Sequence, residues 1–339
     1  MRIAYLIGNG FDLSLGLKTS PHDFLADFVK QNRLSDAPPA AFKLAKTIMS
    51  DGIDNWADFE KKLGEYSVGF NEANYNEYLD GCDKLTKHLH GWLKTQDDNV
   101  DESVLTNSAK GCLESLKDFR TILQPEECDV VEKIRTNHNT ESWQYDIVSF
   151  NYTSALERVM EAATQKTKEF GSLDQYGRKH IYGTCVNVHE NLNGVIVCGV
   201  DNPNQIKNEH FRKNDVVLNN IVKESIQRQL ASKSDRVGMH LIENATIMCI
   251  FGMSMGISDQ RWWKAIANRL KADQEAILII YSYSFSSANP HTPYDRYRIL
   301  EAEKSKFFDG AGLDQESREI LKDRIFILKS SSILPISAR

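Results

Sequence analysis

The sequence lacks most of the features that would place it quickly. Its six cysteines, Cys82, Cys112, Cys128, Cys185, Cys198 and Cys249, include no C-x-x-C pair. Three of them, Cys185, Cys198 and Cys249, sit in apolar runs, so they read as reduced core residues rather than a disulfide framework or thiolate metal site. No segment approaches the ~18 uncharged apolar residues that a membrane-spanning helix needs, and the first residues show no basic stretch followed by a long apolar one. A soluble cytoplasmic protein with no membrane partner is the expectation. Charge of one sign is also missing: 41 basic against 47 acidic residues leave a net charge of −6. That balance gives no bulk attraction to nucleic acid, although a local basic groove can coexist with an acidic total, so nucleic acid stays open as a partner.

Catalytic signatures are equally sparse. There is no G-x-S-x-G elbow, and Cys185 has no partner nearby in sequence for a nucleophilic dyad. His88 and His90 fall in a helical pattern where neighbours two apart diverge, and they lack the H-E-x-x-H spacing of a zinc site. His189-Glu190 reads as a loop pair with a surface role. No metal site is expected, and no internal repeat is visible.

What is present begins at Met1–Gly16. An apolar run, Ile3 to Ile7, ends directly in Gly8-Asn9-Gly10. A buried strand leading into two glycines and then a helix is how many α/β nucleotide sites begin, because glycine permits a sharp turn and close backbone approach. The full G-x-G-x-x-G fingerprint is absent, since its third glycine would fall at Leu13, and an ordinary Asn-Gly turn explains the segment equally well. Asp12 would repel a pyrophosphate. It points instead to ribose hydroxyls, a polarised water or the loop's own amides.

Next comes a helical region. Ser20-Pro21-His22-Asp23 is a helix start followed by an apolar stripe, Phe24, Leu25, Phe28 and Val29. Pro38-Pro39 opens a further helix, and Asp54 or Asn55 caps a short one at Trp56–Glu60. Tyr75, Tyr78, Cys82, Leu85, Leu89 and Trp92, then Leu105, Ala109, Cys112, Leu116, Phe119 and Leu123, keep helical spacing. These predict two long helices folded as an antiparallel hairpin. The α/β pattern resumes at Tyr145–Phe150, with further strands at His180–Gly183, Gly194–Gly199, Ala245–Phe251 and Ala276–Tyr283 and an edge strand at Arg324–Lys329. Loops are expected near 170–179 and 201–210 and over Ser282–Pro293. The fold class is therefore α/β, a Rossmann-like, mostly parallel sheet covered by helices. Residues 1–19 plus 141–339 form the α/β domain, and 20–140 form an inserted helical subdomain.

Polar residues cluster where these strands end. Gly8-Asn9-Gly10, Asn151-Tyr152-Thr153, Gly183, Gly199-Val200-Asp201 and Gly252-Met253-Ser254 all follow apolar runs, and the carboxyl edge of a parallel sheet is where ligands sit. Each also reads as a turn, and Asn151 or Thr153 as a helix cap. The expectation is one pocket lined by Gly8, Asn9, Gly10, Asp12, Asn151, Tyr152, Gly199, Asp201 and Ser254.

The runs LIGNGFDLSLGLKTSPHDF, NWADFE, SFNYTSALE and IFGMSMGISD, in that order, resemble the abortive-infection AbiH family of bacterial antiphage proteins. The same order is distantly similar to the sirtuin arrangement. Gly8-Asn9-Gly10 matches its glycine loop, Asp23-Phe24 its Asp-Phe pair, Phe150–Thr153 its asparagine-bearing strand end, and Gly252–Met255 its late glycine-serine motif. That similarity implies NAD or a related nucleotide as substrate or ligand, with Asn151 near the nicotinamide ribose and a helical insertion beside the cleft. No cofactor is required. Both patterns carry histidine where this chain has Tyr182 before Gly183. His180 lies two residues upstream on the same strand face, about 6.5 Å away. Tyrosine, with a pKa near 10, is a poor base at neutral pH. Either His180 takes the base role, or Asp12 or Asp201 does, or the chain binds without turnover.

The resulting candidates are Asp12, Asn151 and His180 for catalysis. Gly8, Asn9, Gly10, Phe11, Thr19, Tyr152, Thr153, Gly183, Gly199, Asp201, Gly252, Ser254 and Asp259 are the candidates for binding a nucleotide. The expected function is antiphage defence by a protein that binds a nucleotide and hydrolyses an N-glycosidic bond. A nuclease using Asp12, Asp23, Asp201 and Asp259, or a sensor of a nucleotide or phage protein, are the alternatives, and a homo-oligomer is compatible with each.

Overall fold

The computed structural model describes residues 1–32, 39–172, 177–288 and 291–330. Seven strands form one sheet: β1 (Arg2–Ile7), β2 (Trp143–Ser149), β3 (Glu169–Ser172), β4 (Lys179–Asn187), β5 (Ile247–Phe251), β6 (Ile277–Ser282) and β7 (Ile325–Lys329), in the order β3-β4-β2-β1-β5-β6-β7. All neighbours are parallel except β3, which pairs antiparallel with β4 at one edge. This is the expected Rossmann-like α/β sheet. The chain builds outward from β1 to β2 and β4, then returns to place β5 on the other side of β1. The reversal puts a topological switch point between β1 and β5.

The central strands read as continuous apolar runs because both faces are covered. Ile3, Tyr5 and Ile7 point into one core with Leu105, Leu116, Phe119, Val131, Leu156 and Val159. Ala4 and Leu6 point into the other with Trp262, Trp263, Ile266 and Phe307. A third core lies among helices of the insertion and the loop segment that packs on them. It joins Phe24, Phe28, Leu44, Phe59, Tyr78, Leu85 and Leu89 to Cys198, Val200, Phe211 and Ile221. The apolar residues of 20–140 thus divide between two places: those of 24–93 make the helical core with the 192–222 segment, and those from Val100 onward cover the sheet.

Several expected elements differ. The first member of the helical hairpin is a single helix, Tyr75–Asp98. The second is broken into Glu102–Ala109 and Cys112–Lys117, because Gly111 takes the left-handed conformation, φ 80°, between them. Gly194–Gly199 is not a strand: Ile196 and Cys198 bury their side chains in the helical core instead. β4 is longer than expected and runs on through Gly183 to Asn187, so Gly183 lies inside a strand rather than at its end. The stretch near 170–179 contains β3, and Tyr283–Ser287 forms a short helix. Pro38, expected to open a helix, lies outside the described residues.

At the switch point the glycines are used for backbone-to-backbone packing. The Gly8 amide donates to the Phe251 carbonyl and the Gly10 amide to the Gly252 carbonyl, both at 2.9 Å. A Cβ on Gly10 would stand 2.4 Å from Gly252 Cα, and Gly252 itself holds φ 67°. Gly10→Ala is therefore expected to destabilise the protein by about 1–3 kcal/mol in urea unfolding. Gly91, in the long helix with nothing within 4 Å of its would-be Cβ, supplies the contrast. Gly91→Ala should stabilise by roughly 0.5–1 kcal/mol.

Candidate functional site

The carboxyl edge of β1, β2 and β5 is built from pieces far apart in sequence. Asn9 leaves the first turn with its Nδ2 donating to the Thr19 carbonyl at 3.0 Å, and the Trp56 indole donates to the same carbonyl at 3.0 Å. Trp56 also meets the Tyr152 ring edge-on, with centroids 6.4 Å apart. The Tyr152 hydroxyl donates to the Val197 carbonyl. The β1 loop, the insertion and the β2 exit are thereby pinned together.

Asp12 is the centre of this edge. Its side chain is 1% exposed, one oxygen accepting from Thr153 Oγ1 at 2.8 Å and the other from Asn151 Nδ2 at 3.2 Å. Burial pushes its pKa up to about 7, with the Thr153 hydrogen bond opposing and the nearby Glu157 and Asp97 carboxylates adding to the rise. Asn151 Oδ1 is buried without a hydrogen-bond partner, and so is Thr19 Oγ1. An unpartnered buried acceptor costs about 1–3 kcal/mol. A ligand hydroxyl would satisfy it. Neither Asn151 nor Thr153 caps the following helix, Ala155–Thr164. Asp97 from the insertion does so, accepting from the Ser154 amide at 3.0 Å and its hydroxyl at 2.9 Å.

Beside it lies a buried ionic cluster. Lys223, 1% exposed, donates to Glu60 Oε2 and Asp259 Oδ1, each at 2.8 Å, and to the Ser258 carbonyl at 3.1 Å. Burial opposes the ammonium charge, but the Asp259 and Glu60 carboxylates outweigh it and hold the lysine's pKa above its ordinary value. Burial likewise works against Asp259, yet Lys223 and His189 together depress its pKa. Burial pushes Glu60 up to about 7, with the Asp259 charge adding to the rise and Lys223 and Ser258 opposing it. His189 approaches Asp259 Oδ1 at 3.2 Å, is lowered in pKa by burial and by Lys223, and stacks on Tyr152 with ring centroids 5.8 Å apart. The Gly199 amide reaches Glu60 Oε1 at 3.4 Å, and a Cβ there would strike the Ile221 carbonyl.

These positions bring together Gly8, Asn9, Gly10, Thr19, Asn151, Tyr152, Thr153 and Gly252 around Asp12, and Asp259 and Gly199 around Lys223. Phe11 is buried in the sheet core, and Ser254 is exposed past the β5 turn. Asp201 takes the Gln205 side chain as acceptor for its amide and faces Arg261 at 3.8 Å. Two members lie elsewhere. Gly183 sits within β4, where a Cβ would strike Asp146 Oδ1 at 2.1 Å. His180 pairs with Trp143, at the amino end of β2, six residues before Ser149, or about 20 Å along the strand. Glu60, Lys223 and His189 were not among the expected site residues. Glu60 stands in the NWADFE run and Lys223 directly follows apolar Ile221-Val222, a charge at the edge of a buried run that could have marked it. His189, expected at the surface, is buried. Of two cavities of about 400 and 530 Å³, the first has His180 in its wall and the second is lined by residues outside the candidate set. Among the described residues, no group of three His, Cys, Asp or Glu side chains is placed to hold a metal ion, and no helix is long and apolar enough to cross a membrane.

The fold and its polar carboxyl edge define an α/β protein of the architecture that seats small ligands at a switch point. Residues 4–281 match the sequence model of a family described as bacteriophage abortive infection AbiH. The match covers most of the chain, which belongs to that family, and its role is therefore antiphage defence by abortive infection. No curated protein matches the chain.

Two outcomes follow from the buried charges. An acid whose folded pKa is raised, as for Asp12, contributes stability below its unfolded value near 4 and loses it as pH rises toward about 7. Asp12→Asn removes that loss, so thermal melts from pH 5 to pH 8 should favour the variant progressively over the parent as pH rises. Lys223→Met leaves two carboxylates buried together. It should cost roughly 3–5 kcal/mol in urea unfolding, and adding Glu60→Gln should recover part of that loss.

Proposed function

We propose that the carboxyl edge binds the ribose of NAD or a related nucleotide and that the chain hydrolyses the N-glycosidic bond, depleting the metabolite during infection. The observation that supports this best is the Asp12–Asn151–Thr153 arrangement, with Asn151 Oδ1 left as an unpartnered buried acceptor beside a carboxyl of near-neutral pKa. In this reading Asn151 Oδ1 accepts a hydrogen bond from a ribose hydroxyl, and Asp12 in its carboxylate form takes the proton of an attacking water. Water's oxygen bonds to the anomeric carbon, the carbon–nitrogen bond breaks, and its electron pair leaves with the base. A pKa near the working pH suits a group that must accept and then release a proton.

Among the candidate bases that Tyr182 leaves open, the geometry favours one. Burial holds the Tyr182 phenol protonated, with its pKa far above the ordinary value. His180 is at the opposite edge of the sheet. Asp201 is turned toward Arg261. Asp12 is the base that remains beside Asn151. The low exposure of the site supports hydrolysis in a desolvated setting, where an oxocarbenium-like centre is stabilised by fixed dipoles rather than by bulk water.

The test incubates pure protein with NAD, nucleoside triphosphates, RNA and DNA together and follows all products by mass spectrometry. Release of a free base from NAD or a nucleotide is the expected result, and Asn151→Ala should lower that rate by about 10²-fold. Because Asp97 caps the adjacent helix, the stability loss in the variant should be limited to the Asp12 hydrogen bond, about 1–3 kcal/mol, with a cooperative melt retained. Shortened RNA or DNA with every nucleotide intact would overturn the proposal in favour of a nuclease.

A further inference from the structure

A polar cavity lies at the amino edge of the sheet, remote from the edge that carries Asp12. It encloses about 400 Å³, within the range of small-ligand sites, and Lys117, Arg120, Thr121 and His180 contribute polar groups to it. His180 forms part of its wall and is 6% exposed. The imidazole is boxed by rings, with Trp143 and Phe170 centroids at 5.7 Å and Tyr145 at 5.6 Å. Tyr145 is held protonated by burial. Its hydroxyl meets His180 Nδ1 at 2.7 Å, so the phenol donates, Nδ1 accepts and the imidazole proton sits on Nε2.

The groups around that ring are donors. Lys117 Nζ donates to the Phe170 carbonyl at 3.3 Å and pairs with Glu114, which uses two of its three hydrogens. Arg120 pairs with Glu132 and lies over the Trp143 ring, and its Nε has no hydrogen-bond partner. Two acids also line the cavity. Glu132 is shared between Arg120 and Arg135, and Asp118 is exposed. Burial first, and then the Lys117 and Arg120 charges, lower the His180 pKa to about 4, with Glu114 opposing them. The two cations add a positive field to the effect of burial, and both favour the neutral imidazole.

We propose that this cavity is a second ligand site, for a small metabolite bearing a phosphate or carboxylate oxyanion accepted by His180, Lys117 and Arg120. The oxyanion would satisfy the remaining Lys117 hydrogen and the imidazole proton, and it would offset the field that keeps His180 neutral. An anion within hydrogen-bond reach favours the imidazolium, so occupancy and protonation of His180 are linked. The site is independent of the hydrolysis proposed for the opposite edge.

The experiment follows the His180 ring signals of the full chain by NMR, with inorganic phosphate and acetate as separate probes. Titration with phosphate at pH 6.5 should move the His180 signals saturably, and the midpoint of its pH titration should rise by about one unit or more, tenfold in proton affinity. Acetate tells whether one carboxylate suffices. Lys117→Gln, at a half-buried position, should raise the His180 midpoint without ligand and weaken the response to phosphate at least tenfold. Unmoved His180 signals with both probes in a folded sample would overturn the proposal. A response undiminished in Lys117→Gln and in Arg120→Gln would overturn it too, because the ion would then be bound elsewhere.

Discussion

A lysine with 1% of its surface exposed imposes a severe condition on the rest of the molecule. Its charge survives only where carboxylates replace water, and the structure brings Glu60 from the insertion and Asp259 from the turn after β5 to 2.8 Å from the same nitrogen. Three segments more than 150 residues apart at their extremes are joined at one atom. The helical core, the 192–222 segment and the sheet cannot shift independently while that ammonium must stay paired. The ions also carry His189 with them, and His189 supports Tyr152 at the end of β2. The loop that bears Asn151 thus inherits its position from an ion cluster it does not touch.

The insertion is consequently part of the edge rather than a neighbour of it. It supplies Trp56 to the Thr19 carbonyl, Glu60 to Lys223 and Asp97 to the helix after Thr153. The last contact has a chemical consequence. A threonine or asparagine that caps a helix spends its side chain on backbone amides, whereas here Asp97 takes that task and frees Thr153 and Asn151 to face Asp12. Asp12 is then the point where burial, two donors and distant negative charge meet, and the balance sets its proton affinity near neutrality.

Much of this fold was legible because central parallel strands are read twice, once as apolar runs and again by the glycine where each run stops. Ile3–Ile7 ending at Gly8 and the run ending at Gly252 were of this kind. The same rule misled at Gly183 and Gly199. In β4 the strand continues through Thr184 and Asn187, polar residues that an edge-proximal strand tolerates, and Gly183 is required because the Asp146 carboxylate occupies the space of a side chain. At Gly199 the apolar run is buried by helices, and sequence periodicity over six residues does not distinguish a sheet neighbour from a helical one. The ionic cluster was less legible still. Glu60 and Asp259 lie in motifs noticed for other reasons, but a buried lysine announces itself only when its partners are known, since most lysines are solvated.

The glycines at the switch point also change meaning once seen in place. Close approach was the right inference from Gly8 and Gly10, but what approaches is the β5 backbone, whose carbonyls consume both amides. The first turn therefore does not offer those two donors to a phosphate, and Asp12 would repel one. In the proposed site the groups left to meet a ligand are acceptors, the Asp12 carboxylate and the unpartnered Asn151 Oδ1. Under that proposal acceptors would select hydroxyl groups, which a ribose ring carries and a diphosphate lacks. The repurposed glycine turn and the buried carboxylate are thus parts of one constraint, because a loop that has surrendered its amides to a neighbouring strand can tolerate an acid at its end.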